Sequence, residues 1–184
     1  PISKVFEIFS EGGGNTFDVE IDSKGRIYSG DNGVTRGFYY KQGAYYRKNW
    51  GKHGPLTNPY AFGYIPGMPV DGERQRFTHA WIKYEGNTLP SQYRQKVLAI
   101  NPLLNFVISS ELEVAGSSFT AIDQGKVLET DDHWFRPVDI KAGPDGAVYL
   151  ADWSDSRLSH IDPRDTWDKG TGRIYRLRAK GAQA

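Results

Sequence analysis

The sequence predicts an all-β fold, a partial β-propeller built from about three four-stranded blades. Three observations point there. Few windows of the 184 residues keep apolar side chains at i, i+3, i+4 and i+7, so amphipathic helices are nearly excluded. Short alternating or β-branched runs recur instead: Lys4–Phe9, Phe17–Ile21, Arg26–Ser29, Ala80–Tyr84, Lys96–Ile100, Phe106–Ser109, Phe119–Ile122, Val138–Lys141, Ala147–Ala151 and Arg173–Leu177. Turn chemistry separates most of them, at Asp22-Ser23-Lys24-Gly25, Glu85-Gly86-Asn87, Asp123-Gln124-Gly125 and Gly143-Pro144-Asp145-Gly146. The third observation is an internal repeat. Phe17 to Asp31 aligns with Val138 to Asp152, matching Asp18 with Asp139, Gly25 with Gly146, Tyr28 with Tyr149 and Asp31 with Asp152.

Taken in order, residues 1–9 with the run Lys4–Phe9 read as the outer strand of a preceding blade. The first blade covers about 10–76, and its Gly/Tyr/Pro-rich excursion from Gly37 to Gly72 reads as a loop over one face. The second blade covers about 77–131 and the third about 132–178. Propellers close with about four or more blades, so three look like half of one. The end blades of a half ring expose their faces, which favours self-association.

Composition narrows the function. Lys+Arg 23 against Asp+Glu 22 gives a net charge of +1, so electrostatics offers no case for nucleic acid or an anionic membrane surface. With Cys 0, disulfides, thiolate zinc sites, iron–sulfur clusters and haem c attachment are excluded within the chain. No apolar run approaches the roughly 20 residues of a bilayer span, so membrane insertion is not expected. Pro1-Ile2-Ser3-Lys4 lacks signal-peptide character. The chain therefore reads as cytosolic, or as a mature or excised piece of a longer protein.

His133-Trp134-Phe135-Arg136-Pro137-Val138-Asp139-Ile140, continuing through Gly143-Pro144-Asp145-Gly146 to Tyr149-Leu150-Ala151-Asp152-Trp153, resembles a signature of the large bacterial membrane-bound dehydrogenase propellers. These are relatives of soluble quinoprotein glucose dehydrogenase and sorbosone dehydrogenase. Asp162-Pro163-Arg164-Asp165 with Gly172-Arg173-Ile174-Tyr175-Arg176-Leu177, and His79 leading to Tyr93-Arg94, are similar to the same group. The resemblance implies the second half of a six-bladed propeller, a periplasmic or secreted location, and a sugar or related alcohol as small-molecule substrate. It also implies pyrroloquinoline quinone and Ca²⁺ as cofactors, without haem c, and a catalytic histidine on an earlier blade outside this stretch. On this reading the chain supplies part of a cofactor- and Ca²⁺-binding channel and is not active alone.

The resemblance assigns Arg136 to a quinone carboxylate, a role its planar fork of donors suits. It places Asp31-Asn32-Gly33-Val34 at a central cation loop, with Asp31, Gly33 and Val34 toward the metal and Asn32 toward the cofactor. Asp152, the repeat partner of Asp31, joins the metal candidates because Ca²⁺ takes hard oxygen ligands. Asn101-Pro102-Leu103-Leu104-Asn105 carries no lysine where the quinone-binding branch has one.

Each residue also has a structural reading. Arg136 suits an ion pair with Asp139 or Asp152 inside the blade. The recurrence of Asp18 and Asp139 argues for buried carboxylates that accept backbone N–H bonds. His53, His79, His133 and His160 show no H-x-x-x-H spacing. Of these, His53 lies within the long aromatic excursion and His79 just beyond it, so His79 is a substrate candidate, with Trp50 and Tyr64 as the aromatic wall. Two rival functions remain at this stage: a non-enzymatic propeller that binds glycans or a protein, and a cation-dependent hydrolase of the lactonase type.

Overall fold

The computed structural model describes residues 5–47, 57–74, 76, 78–157 and 164–181. Three sheets follow one another along the chain, antiparallel except where β6 joins the second in parallel, as expected of propeller blades. The first contains β1 (Glu20–Ile21), β2 (Ile27–Ser29) and β3 (Phe38–Tyr40). A separate parallel pair follows, β4 (Ala44–Tyr46) with β5 (Gly63–Ile65). The second sheet is ordered β6-β10-β9-β8-β7, from β6 (Val70–Asp71), β7 (Trp81–Lys83), β8 (Val97–Asn101), β9 (Phe106–Ala115) and β10 (Ser118–Glu129). The third holds β11 (Pro137–Ala142), β12 (Val148–Asp152) and β13 (Arg173–Leu177). Among the described residues the three sheets hold three, five and three strands.

The sequence repeat is a repeat of structure. Glu20 pairs with Tyr28 and Ile21 with Ile27, while their counterparts Lys141 and Ala142 pair with Tyr149 and Val148. Both hairpins turn on a glycine in the left-handed region, Gly25 at φ 72° and Gly146 at φ 75°. Their N–H groups donate back across the turn, to the Asp22 and Gly143 carbonyls, each at 2.9 Å.

Strand β8, inside the middle sheet, is buried on both faces, which explains why it reads Val-Leu-Ala-Ile without polar alternation. Val97 and Ala99 face the first sheet, packing with Trp81, Phe106, Ile108 and Tyr28. Leu98 and Ile100 face the third, packing with Ile82, Ile140, Val148 and Leu150. Trp81 and Ile82, adjacent in sequence, therefore enter different cores.

Four expectations change. Residues 5–9 carry no strand (Lys4 lies outside the described residues); instead the Phe9 carbonyl accepts the Gly43 N–H and Glu11 bridges Tyr45. The excursion from Gly37 to Gly72 is not simply a loop: it holds β3, β4 and β5, and Phe38, Tyr46 and Ile65 share a small core. The first blade does not extend to residue 76, because Val70–Asp71 pairs with β10 of the second sheet. Asp123-Gln124-Gly125 is a bulge inside β10, with Gly125 at φ 107°, rather than a turn.

The innermost strands β1, β7 and β11 run in the same direction. At their starts, Asp31 bridges Thr78, and an Arg136 N–H reaches the Pro102 carbonyl beside the start of β7. At their ends, Ser23 meets Glu85, and the Tyr84 hydroxyl donates to the Gly146 carbonyl at 2.7 Å. The wall they form has two ends with different chemistry.

Candidate functional site: the two ends of the inner-strand wall

The starting end gathers Asp31, Asn32 and His79. The Asp31 N–H donates to the Thr78 carbonyl at 3.3 Å, and the Thr35 hydroxyl donates to its carboxylate at 2.8 Å. This approach depends on Gly30, where a Cβ would lie 2.2 Å from the Thr78 carbonyl oxygen. The His79 ring packs on Phe17, with centroids 4.6 Å apart. Asp31, Asn32 and His79 are buried, whereas Val34 projects into solvent.

Arg136 sits at the same end but faces the protein. Its guanidinium donates to the carbonyls of Asp155 at 2.8 Å, Pro102 at 2.6 Å and His133 at 3.0 Å, and to the Asn105 side-chain oxygen at 2.8 Å. Four of its five N–H donors are thereby occupied. Burial lowers the guanidinium below its ordinary pKa, and Asp155 and Asp152 oppose that shift. The expected pairing with Asp139 is not found: Asp139 accepts its own chain's Ile140 N–H and lies 3.7 Å from Lys141. Asp152 instead accepts the Arg136 backbone N–H at 2.8 Å and the Ser154 N–H at 2.9 Å. Its second oxygen lies 3.6 Å from Arg173.

Asp31 and Asp152 therefore belong to the first and third blades, each tied into its own surroundings. Among the described residues, no three His, Asp or Glu side chains gather as a metal-binding group. Tyr64 packs beside Tyr45 on the β4–β5 pair, at 5.8 Å between centroids. Trp50, His53 and His160 lie outside the described residues.

Asp18 takes the structural role its recurrence suggests. Its carboxylate accepts the N–H groups of Gly30 and Trp81, stapling β2 to the free edge of β7. Burial raises its pKa, and those two backbone bonds pull the other way. Glu20, two residues along the same face, accepts the Lys83 N–H at 3.0 Å. Burial is also the main influence there, pushing its carboxyl up to about 7.

Glu20 leads to the other end, which sequence reasoning missed. A cavity of about 1080 Å³ lies there, and Glu20, Lys83, Glu85, Arg94, Lys141 and Asp145 bring its charges. Burial lowers the Lys83 amine, which donates to the Gln95 carbonyl. A signal existed in the alternation of Asp18 and Glu20 with Phe17, Val19 and Ile21, which marks a strand with one charged and one apolar face.

No curated protein matches the sequence. Among solved structures, a proposed oxidoreductase (glucose dehydrogenase) from Thermus thermophilus matches with a TM-score of 0.59 and 18% identity, over 92% of this chain and 47% of its own. The soluble aldose sugar dehydrogenase of Escherichia coli, in its apo form, matches with a TM-score of 0.46 at 18% identity, over 85% of this chain and 47% of its own. A glucose dehydrogenase gives 0.46 and 18%, over 95% and 47%. The chain thus spans about half the length of each, and the first establishes the fold, a partial β-propeller. A family model described as a domain of unknown function, DUF7133, matches residues 1–181, and the chain belongs to that family.

Proposed function

We propose that this chain forms half of the axial channel of a propeller that oxidises a sugar or related alcohol, and is not active alone. The observation that carries the reading is the starting end of the inner-strand wall. There a glycine-dependent approach buries Asp31, Asn32 and His79 together, in a fold shared with a proposed glucose dehydrogenase. Buried carboxylate and carboxamide oxygens are hard donors of the kind Ca²⁺ takes, so Asp31 and Asn32 fit a calcium ligand set completed by other groups. His79 would orient the substrate's hydroxyl, and Phe17 holds its ring in place. A periplasmic or secreted location belongs to the same reading.

Arg136 does not fit as a quinone anchor, because its donors already serve protein oxygens. Any quinone carboxylate in the intact channel would need another partner. The hydrolase alternative needs several carboxylates around one metal, a grouping not present among the described residues.

Calorimetric titration with Ca²⁺, with and without pyrroloquinoline quinone, tests the proposal. The expected result is Ca²⁺ binding that Asp31→Asn weakens about tenfold, together with quinone binding that appears only when Ca²⁺ is present. A chain that binds neither removes the calcium and quinone parts of the reading.

A further inference from the structure

Tryptophan is usually well buried, yet three of this chain's tryptophans stand in solvent at one end of the third blade. Trp134 and Trp153 are each 45% exposed and Trp167 is 37% exposed. They lie on three adjoining segments: the approach to β11, the exit from β12 and the approach to β13. Trp153 and Trp167 stack with centroids 4.5 Å apart and planes 15° apart.

The rings stand on a rigid base. The Asp155 N–H donates to the Trp134 carbonyl at 3.1 Å, and the Trp153 N–H donates to the Arg136 carbonyl at 3.0 Å. The Asp168 N–H donates to the Ser154 carbonyl at 2.9 Å, and Asp155 bridges Trp167. The Thr166 hydroxyl donates to the Asp155 carboxylate at 2.8 Å. Ser154, buried between Trp153 and Asp155, holds a left-handed backbone at φ 56°, a conformation that a serine keeps only when its surroundings impose it. The Arg136 side chain braces the same loops through the Asp155 and His133 carbonyls and ties them to the β8–β9 turn through Pro102 and Asn105. Packing accounts for the buried part of each indole but not for the ring area left in water, and a rigid aromatic surface loses little entropy when a ligand covers it.

The surrounding charges select the ligand. The Lys169 ammonium lies over the Trp167 ring at 5.1 Å and pairs with Asp165 at 2.7 Å, so the cation position on that ring is filled from within the chain. Arg173 stands near the exposed carboxylates of Asp132 and Asp168 and balances them, so the rim favours neither an anion nor a cation, while its carboxylate oxygens suit hydroxyl donors. An uncharged ligand with an apolar ring face and hydroxyls at its rim meets both conditions. We infer that Trp134 and Trp153, the latter backed by Trp167, form a binding platform for neutral pyranose oligosaccharides. Two aromatic positions, the stacked pair and Trp134, suit a chain of sugar rings better than a single sugar. This platform needs no quinone or calcium and stands apart from the dehydrogenase reading.

The test is calorimetric titration of the chain with cellohexaose, maltohexaose and xylohexaose, with glucose and tetramethylammonium as comparators. Saturable binding of at least one hexasaccharide, tighter than glucose, is expected. Trp153→Ala should weaken it about tenfold and Trp153→Tyr less, with the far-ultraviolet circular dichroism unchanged in both. The inference is overturned if no hexasaccharide binds. It is also overturned if binding survives intact in folded Trp153→Ala and Trp167→Ala, or if tetramethylammonium competes. Failure here leaves the calcium and quinone titration unaffected, so the two readings fall separately.

Discussion

The Arg36 guanidinium and the Asp123 carboxylate meet at 2.8 Å between the first and second sheets, with side chains 1% and 7% exposed. Asp123 also accepts the Ser110 hydroxyl and the Glu73 N–H, while the Arg36 carbonyl receives the Trp81 indole N–H. The β10 bulge places Asp123 where all of these groups converge. Breaking a buried pair strands a charge, so Asp123→Ala should cost about 3–5 kcal/mol in urea unfolding. Replacing both partners by apolar residues should cost less than the two single changes combined, which a double-mutant cycle would show.

Gly30 separates the two blades by less than a methyl group. A Cβ there would lie 2.2 Å from the Thr78 carbonyl oxygen and 2.4 Å from the His79 backbone. Gly30→Ala should therefore lower stability by more than about 2 kcal/mol, a loss attributable to overpacking. It should also weaken any Ca²⁺ binding, because the Asp31–Thr78 bridge must open. Gly25→Ala, with no atom within 4 Å of its added carbon, should cost less, reflecting its positive φ alone.

Glu20 makes stability depend on pH. Its folded carboxyl is raised to about 7 from 4.5, so between those values the folded chain binds more protons than the unfolded one. Its effect on stability is most favourable below the unfolded value, declines as pH rises toward 7, and is level above that. Asp18, also raised by burial, acts in the same direction. Glu20→Gln keeps an acceptor for the Lys83 N–H and removes the charge. It should stabilise the chain at pH 8 by on the order of 1 kcal/mol after solvent screening, and leave pH 4 nearly unchanged. Urea midpoints measured across pH 4–8 would show the flattened profile.

Arg136→Lys should be costly even though it keeps the charge. A lysine cannot reproduce a fork that serves three carbonyls and the Asn105 side chain. A loss of about 2–4 kcal/mol is expected from the acceptors left unpaired, read as a lower urea midpoint with unchanged slope. Quinone affinity in an intact relative should change far less than stability.

Much of the fold was legible because local chemistry and tertiary position agree. Ala80–Tyr84 and Ala147–Ala151 are dense in β-formers and adjoin glycine turns, the first lying between sheets and the second burying one face against the middle sheet. The pairing of Glu20 with Tyr28 could be carried to Lys141 and Tyr149 by the repeat alone. Asp123-Gln124-Gly125 misled because glycine serves bulges as well as turns, and only the pairing partner distinguishes them. Arg136 stands just ahead of β11, but the carbonyls of Pro102 and Asp155 that receive its side chain arrive from other segments. Trp134 and Trp153 lie inside the most recognisable motif of the chain, and their exposure follows from neighbouring loops that no motif specifies.

The two outer faces of this three-blade stack are unlike. Before the first blade, Phe17, Val19 and Ile21 leave an apolar stripe, each more than 60% exposed. Beyond the third blade, Asp139, Lys141 and Arg176 present charge on the repeat-equivalent of the face that elsewhere meets a neighbour. Head-to-tail addition of identical copies would press the stripe against ions and leave them poorly solvated. Contact between two stripes instead places like on like about a two-fold axis, and such a contact saturates at a pair. Were copies of the chain to associate, the mismatch of these faces would favour a closed pair over open-ended fibres.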